Sequence, residues 1–66
     1  MTTDDLSDLE IRIAVCIAEG LTNRLIAERL GLDEQVVARH LAHILRTLGL
    51  RNRVRVAVWA VRQGLC

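Results

Sequence analysis

The sequence predicts an all-α domain of four helices, and three observations carry that reading. Its four glycines, Gly20, Gly31, Gly49 and Gly64, each follow a stretch whose apolar residues recur every three to four positions, where a left-handed helix cap belongs. A residue suited to capping a helix N-terminus stands just after each of the first three. There is no proline, and strand-like alternation is confined to "RVRVAV" at 53–58.

Ser7-Asp8-Leu9-Glu10 has the form of a capping box, with Leu6 placed to staple onto Ile11, and opens a first helix near 8–19. Thr22 caps a second near 23–30, Asp33 a third near 34–48 and Asn52 a fourth near 53–63. The fourth is the ambiguous element. Its alternating Arg and Val favour a strand locally, whereas Asn52 before it and Ala57, Trp59, Ala60, Gln63 and Gly64 after it favour a helix. Helical periodicity assigns the core to Ile13, Ile17 and Ala18, then Leu21, Ile26, Ala27 and Leu30. From the later helices come Val37, Leu41, Ile44, Leu45 and Leu48, with Ala57 and Ala60, and Val56 flanks them. A short helix and a longer one joined by "GLD" make a helix-turn-helix with its core at 23–42, and the small Ala27 lets the two cross closely.

Residues 1–66 form a single small domain. A chain this short buries only about 60% of its unfolded surface, so a staple or a partner chain is a natural supplement. A disulfide is not expected, because Cys16 lies inside the apolar "AVCIA" and Cys66 is the last residue. His40 and His43, three apart, could share a metal on one helix face, but no carboxylate or thiol in the same stretch completes the site. No metal or cofactor is therefore expected. The longest apolar runs, "IAVCIA" and "VAVWAV", are six residues each, against about 20 for a membrane span. The acidic start "MTTDD" is unlike a signal peptide. Together with free thiols, this leads to the expectation of a cytoplasmic location. With no nucleophile–base constellation and no glycine-rich phosphate loop, an enzyme is not expected either.

The net charge of +1 conceals a division. All eight acids lie in residues 1–34 beside three arginines, net −5, whereas residues 35–66 hold six arginines and no acid, net +6. Two readings stand: a phosphate-facing surface, or halves that interleave on folding so that the asymmetry vanishes. The third helix sharpens the first. Val37, Leu41 and Ile44 share one face, and Gln35, Arg39, Ala42 and Arg46 another. An arginine on such a face, Arg39 for instance, is able to bond guanine bidentately, worth about 1–3 kcal/mol of discrimination. Val36 and Ala42 suit thymine methyl groups. The alternative for Arg39 is a solvated charge.

The segments "IAEGLTNRLIAERL", "VARH", "ILRTLG" and "RNR" together resemble the LuxR/GerE-type C-terminal DNA-binding domain of bacterial transcription regulators, over about residues 6–64. The resemblance implies a four-helix domain whose third helix enters the major groove of double-stranded DNA and whose fourth pairs two protomers. Carried over by position, Asn23 and Arg24 would meet phosphates. Gln35, Val36, Ala38, Arg39 and Ala42 would face the groove, with His43 beside them, and Arg46 would reach a flanking phosphate. His40 would serve packing and hydrogen bonding. The family usually carries Thr at the place of Val36 and Lys at the place of Ala38, so the contact set is thinned.

The fourth helix has one apolar stripe more than a lone domain needs. Val54, Val58, Val61 and Leu65 recur at four, three and four residues on a face distinct from the core side. The stripe reads as a homodimer interface on helix 53–63, or alternatively as scattered surface valines. Trp59, the single aromatic residue, is expected between core and interface, with an indole N–H that needs an acceptor if buried. The competing functional reading is a protein-interaction or dimerisation module with a degenerate helix-turn-helix. RNA polymerase, or an N-terminal regulatory domain missing from this chain, enters as a further expected partner.

Overall fold

The computed structural model describes residues 6–65. It contains α1 (Asp8–Ala18), α2 (Asn23–Leu30), α3 (Glu34–Leu48) and α4 (Arg53–Arg62), and no strand among the described residues. The bounds fall within a residue of those expected. Segment 53–58 is helical: the Asn52 side chain accepts from the Arg55 N–H at 3.0 Å, and the turn is sealed by burial of Val56. Cys66 lies outside the described residues, and Cys16 is a buried free thiol. Among the described residues no helix is long and apolar enough to cross a membrane.

Side chains close the N-termini of α1, α2 and α4. Ser7 Oγ accepts from the Glu10 N–H and Thr22 Oγ1 from the Leu25 N–H, each at 3.2 Å. The start of α3 departs from expectation. Asp33 has the extended backbone of a cap residue, but its side chain makes no capping hydrogen bond. Its carbonyl takes the Val36 and Val37 N–H groups instead, at 3.0 and 3.2 Å, and its carboxylate stays exposed.

All four helices end alike, on a Gly-Leu pair that the sequence reading did not single out. The N–H of Leu21, Leu32, Leu50 and Leu65 reaches back to the carbonyls of Cys16, Ala27, Leu45 and Ala60, at 3.2, 2.9, 2.9 and 3.0 Å. This is the Schellman closure, in which the residue after the glycine also packs on the helix it terminates. All four leucines are partly buried against the core. In the helix-turn-helix loop the closure needs Gly31 at φ +70, where a Cβ would meet nothing within 4 Å. The requirement for glycine there is purely one of backbone conformation.

The largest fully buried side chains are Ile13 of α1, Ile26 of α2, Val37 and Ile44 of α3, and Val56 of α4. Every helix therefore contributes to one centre. α1 packs chiefly on α4 and α3, while α2 rests on α3. Some expectations are corrected. Val56 rather than Ala57 accompanies the expected Ala60 on the inward side of α4, and Leu6, Ala14, Cys16 and Trp59 join the buried set. Ala18, Leu21, Leu30, Leu41, Leu45, Leu48 and Ala57 pack at its margin. Trp59 is a core residue, and its Nε1 finds no hydrogen-bond partner among the described residues.

Glu10 is the buried charged side chain of the core, 4% exposed. Its Oε2 accepts from Nδ1 of His40 at 2.9 Å and from Nδ1 of His43 at 2.8 Å, joining the start of α1 to the middle of α3. The other ring nitrogen of His43, Nε2, lies 3.3 Å from the Thr47 hydroxyl. A carboxylate does meet the two histidines, then, but N–H donors occupy it. Among the described residues no group of three or more such side chains is arranged to hold a metal ion. Burial pushes the Glu10 carboxyl up. The His40 and His43 hydrogen bonds, the His43 charge and the Ser7 amide outweigh it, and the net direction is down.

A carboxyl held below its ordinary value of 4.5 stabilises the fold above that pH, and the stabilisation is lost as pH falls through the folded-state value. Urea denaturation across pH 7 to 3 is expected to show wild-type stability falling at the acid end. Glu10→Gln should start about 1–3 kcal/mol lower and vary less with acid pH; equal acid sensitivity of the two would remove Glu10 from this role. Gly31→Ala is expected to cost about 1–2 kcal/mol in thermal denaturation through its positive φ alone.

Candidate nucleic-acid interface

The side of α3 opposite Val37 and Ile44 is open. Gln35, Ala38, Arg39, Ala42 and Arg46 are all exposed, on one stripe of a helix whose other side is fully buried. No described residue covers them. Arg39 and Arg46 enter no hydrogen bond or ion pair among the described residues, so both guanidiniums are available. Val36 is half-buried at the stripe's edge, with less of its surface to offer.

His43 is tied into the fold by its own hydrogen bonds. Its ring is half exposed, but Nδ1 is held by Glu10 and Nε2 faces the Thr47 hydroxyl, so both nitrogens are engaged within the chain. The residue acts with His40 as an anchor of α3 rather than as a free polar contact. The signal for this was Glu10, which the sequence reading placed only in a capping box.

At the start of α2, Arg24 is exposed and pairs loosely with Glu28 at 3.5 Å, an i,i+4 surface pair worth only a few tenths of a kcal/mol. It remains free to exchange that partner. Asn23 is half-buried, and its Oδ1 accepts from Arg53 Nη1 at 2.6 Å. Arg53 Nη2 also donates to the Leu21 carbonyl. This link between the first residues of α2 and α4 was invisible to periodicity, because the partners lie 30 residues apart.

Between the starts of α2 and α3 runs an open surface groove of about 680 Å³, lined by Asn23, Asp33, Glu34, Gln35 and Ala38. The exposed carboxylates of Asp33 and Glu34 lie at its edge, and in sequence Asp33 was read only as a cap. They repel phosphate and suit hydrogen-bond donors, such as the amino group of cytosine.

On folding, the arginines of residues 35–66 are left without acidic partners among the described residues. The described ion pairs of arginine are Arg24–Glu28 and Arg29–Glu19, the latter at 2.5 Å, and both lie within residues 1–34. Among the described residues no acid pairs with an arginine of residues 35–66, so that half presents Arg39, Arg46, Arg51, Arg55 and Arg62 to solvent.

On α4 the valine stripe is exposed: Val54 by 69%, Val58 by 39% and Val61 by 59%. Ala57, Val58, Val61 and Arg62 line a shallow apolar groove of about 300 Å³ beside it. Leu65 does not belong to that stripe. As the residue after Gly64 it turns back onto the core in the closure of α4.

Comparison with known proteins agrees with this architecture. The family described as "Bacterial regulatory proteins, luxR family" matches residues 4–60. The nitrate/nitrite response regulator protein NarL of Escherichia coli (strain K12) is 41% identical over 62 residues, 94% of this chain and 29% of that protein. The transcriptional regulatory protein LnrK of Bacillus subtilis (strain 168) is 36% identical over 61 residues, 92% of this chain and 28% of that protein. The DNA-binding transcriptional activator DevR/DosR of Mycobacterium tuberculosis (strain ATCC 25618 / H37Rv) is 38% identical over 55 residues, 83% and 25% respectively. The chain thus spans less than a third of the length of these relatives. By the extent of the family match, and with four helices arranged around a helix-turn-helix, the chain belongs to the luxR family of bacterial regulatory proteins.

Proposed function

We propose that this domain regulates transcription in the cytoplasm by laying α3 in the major groove of double-stranded DNA, as a two-fold dimer on an inverted repeat. The observation that supports this best is the bare outer stripe of α3, with unpaired Arg39 and Arg46 backed by buried Val37 and Ile44. Arg39, nearer the N-terminal half of the helix, addresses guanine; Gln35 addresses adenine; Ala38, Ala42 and the exposed part of Val36 meet thymine methyls. Arg46, Arg24 and Asn23 contact the flanking phosphates, the last two assisted by the N-terminal dipole of α2.

Dimerisation follows from size and surface. The chain measures 28 × 20 × 20 Å, whereas successive major grooves on one side of DNA lie about 34 Å apart. A second copy supplies the second recognition helix. Val54, Val58 and Val61 of one copy have a receiving surface in the shallow groove beside Ala57 and Val61 of the other. Input reaches such a dimer through a regulatory region in a longer protein or through RNA polymerase, since the relatives extend well beyond the matched segment.

Titration of duplexes at several salt concentrations tests the reading. Log affinity should fall linearly with log salt, at a slope of about −0.9 per phosphate neutralised. Arg39→Ala should cost about 1–3 kcal/mol on the preferred duplex and flatten sequence preference. Arg46→Ala should weaken every duplex alike and reduce the slope by about one unit. If wild type binds no duplex at low salt, the domain is an interaction module instead. In sedimentation, Val58→Arg should give monomers that keep the fold but lose tight operator binding; an unchanged dimer would take α4 out of the interface.

A further inference from the structure

We infer that Arg53 is a positioning residue for DNA binding, acting by fixing which edge of the Asn23 side-chain amide faces the nucleic acid. The inference rests on the proposed DNA-binding reading and goes beyond it by assigning a role to a residue on a different helix from the interface.

A terminal amide presents an acceptor oxygen and an NH2 donor of nearly the same size, and a half-exposed asparagine can turn either outward. At Asn23 the choice is made by Arg53. Its Nη1 donates to Asn23 Oδ1 at 2.6 Å, and its Nη2 is held at the same time by the Leu21 carbonyl. The planar guanidinium is therefore fixed at two points, across chain separations of 30 and 32 residues. A guanidinium has donors only, so the edge it binds is the acceptor edge. Asn23 is left with Nδ2–H groups for whatever occupies the groove it lines with Gln35 and Ala38. Phosphate oxygens have acceptors only. The fixed orientation matches them, and the flipped one would set oxygen against oxygen.

The arrangement also ties the start of α4 to the turn between α1 and α2, because Leu21 directly follows Gly20. Asn23 is thereby held from the base of the helix that carries the exposed valines. Arg53 itself is half-buried and has two of its donors engaged inside the chain, which separates it from the exposed Arg51 and Arg55 on either side.

A double-mutant cycle on the intact chain tests this, with affinity for a selected duplex and for a random duplex as readouts and thermal denaturation as the control for folding. Arg53→Gln and Asn23→Ala are each expected to weaken both duplexes by about tenfold, leaving their ratio unchanged. The double variant should be no weaker than Asn23→Ala alone, because Arg53 acts only through that amide. If Arg53→Gln does not fold, Arg53→Lys takes its place in the cycle. It retains the charge but not the two-point fork, and its loss should likewise vanish in the Asn23→Ala background. Additive losses, or an Arg53 variant that binds as tightly as wild type, would overturn the inference. Failure of wild type to bind any duplex would instead overturn the DNA-binding reading on which it stands.

Discussion

Glu10 buries its charge at the start of α1 and takes imidazole donors from two successive turns of α3, at His40 and His43. An apolar core resists separation of helices but resists rotation about a helix axis less well, since neighbouring aliphatic residues substitute for one another with little loss. Hydrogen bonds to one carboxylate oxygen are directional and allow no such exchange. The roll of α3, and with it the outward aim of Gln35, Arg39 and Arg46, follows from where Glu10 holds those rings. The arrangement has a cost, because a buried carboxylate that loses a partner is far worse than a buried aliphatic. A small core accepts that cost for a helix whose other face must stay uncovered.

The rest of the fold was largely legible because it is written in local chemistry. Ser7, Thr22 and Asn52 cap helices by bonds to residues three positions on, and the glycines end them by bonds spanning five. Such signals survive in any reading of the chain. Legibility failed where the partner is distant or the choice lies between neighbours. The pairing of Arg53 with Asn23 and of Glu10 with His43 joins residues 30 and 33 positions apart, and no periodicity encodes it. Val56 and Ala57 differ by one position on a helix with apolar residues on two faces, so Ala57 was set in the core where Val56 lies, beside the correctly placed Ala60. Leu65 was read as a continuation of the valine stripe because the helical period was extended past Gly64, where the chain turns back. The family resemblance supplied what the residues alone left open, namely which exposed face to propose as the recognition surface.

The electrostatics follow the same division. Carboxylates and their arginine partners are concentrated on α1 and α2, whereas the arginines of α3 and α4 have no acid in their own half of the sequence to pair with. Of the six arginines in residues 35–66, Arg53 is the one committed to side-chain hydrogen bonds among the described residues, and it serves the start of α2. The remaining cations give long-range attraction to phosphate. Asp33 and Glu34 at the edge of the groove oppose that attraction locally; on the proposed reading they would lower affinity for arbitrary sequences and leave discrimination to the few polar groups on the stripe.

Selection of bound duplexes from a random pool, carried out at low and at moderate salt, tests the central claim most directly. On this account the recovered sequences share two half-sites related by a two-fold axis, with centres about 10 base pairs apart, and guanine is enriched where Arg39 reaches. Recovery that shows no enrichment at either salt concentration, or no duplex retained even at the lower one, would contradict the assignment of α3 as a reader of DNA.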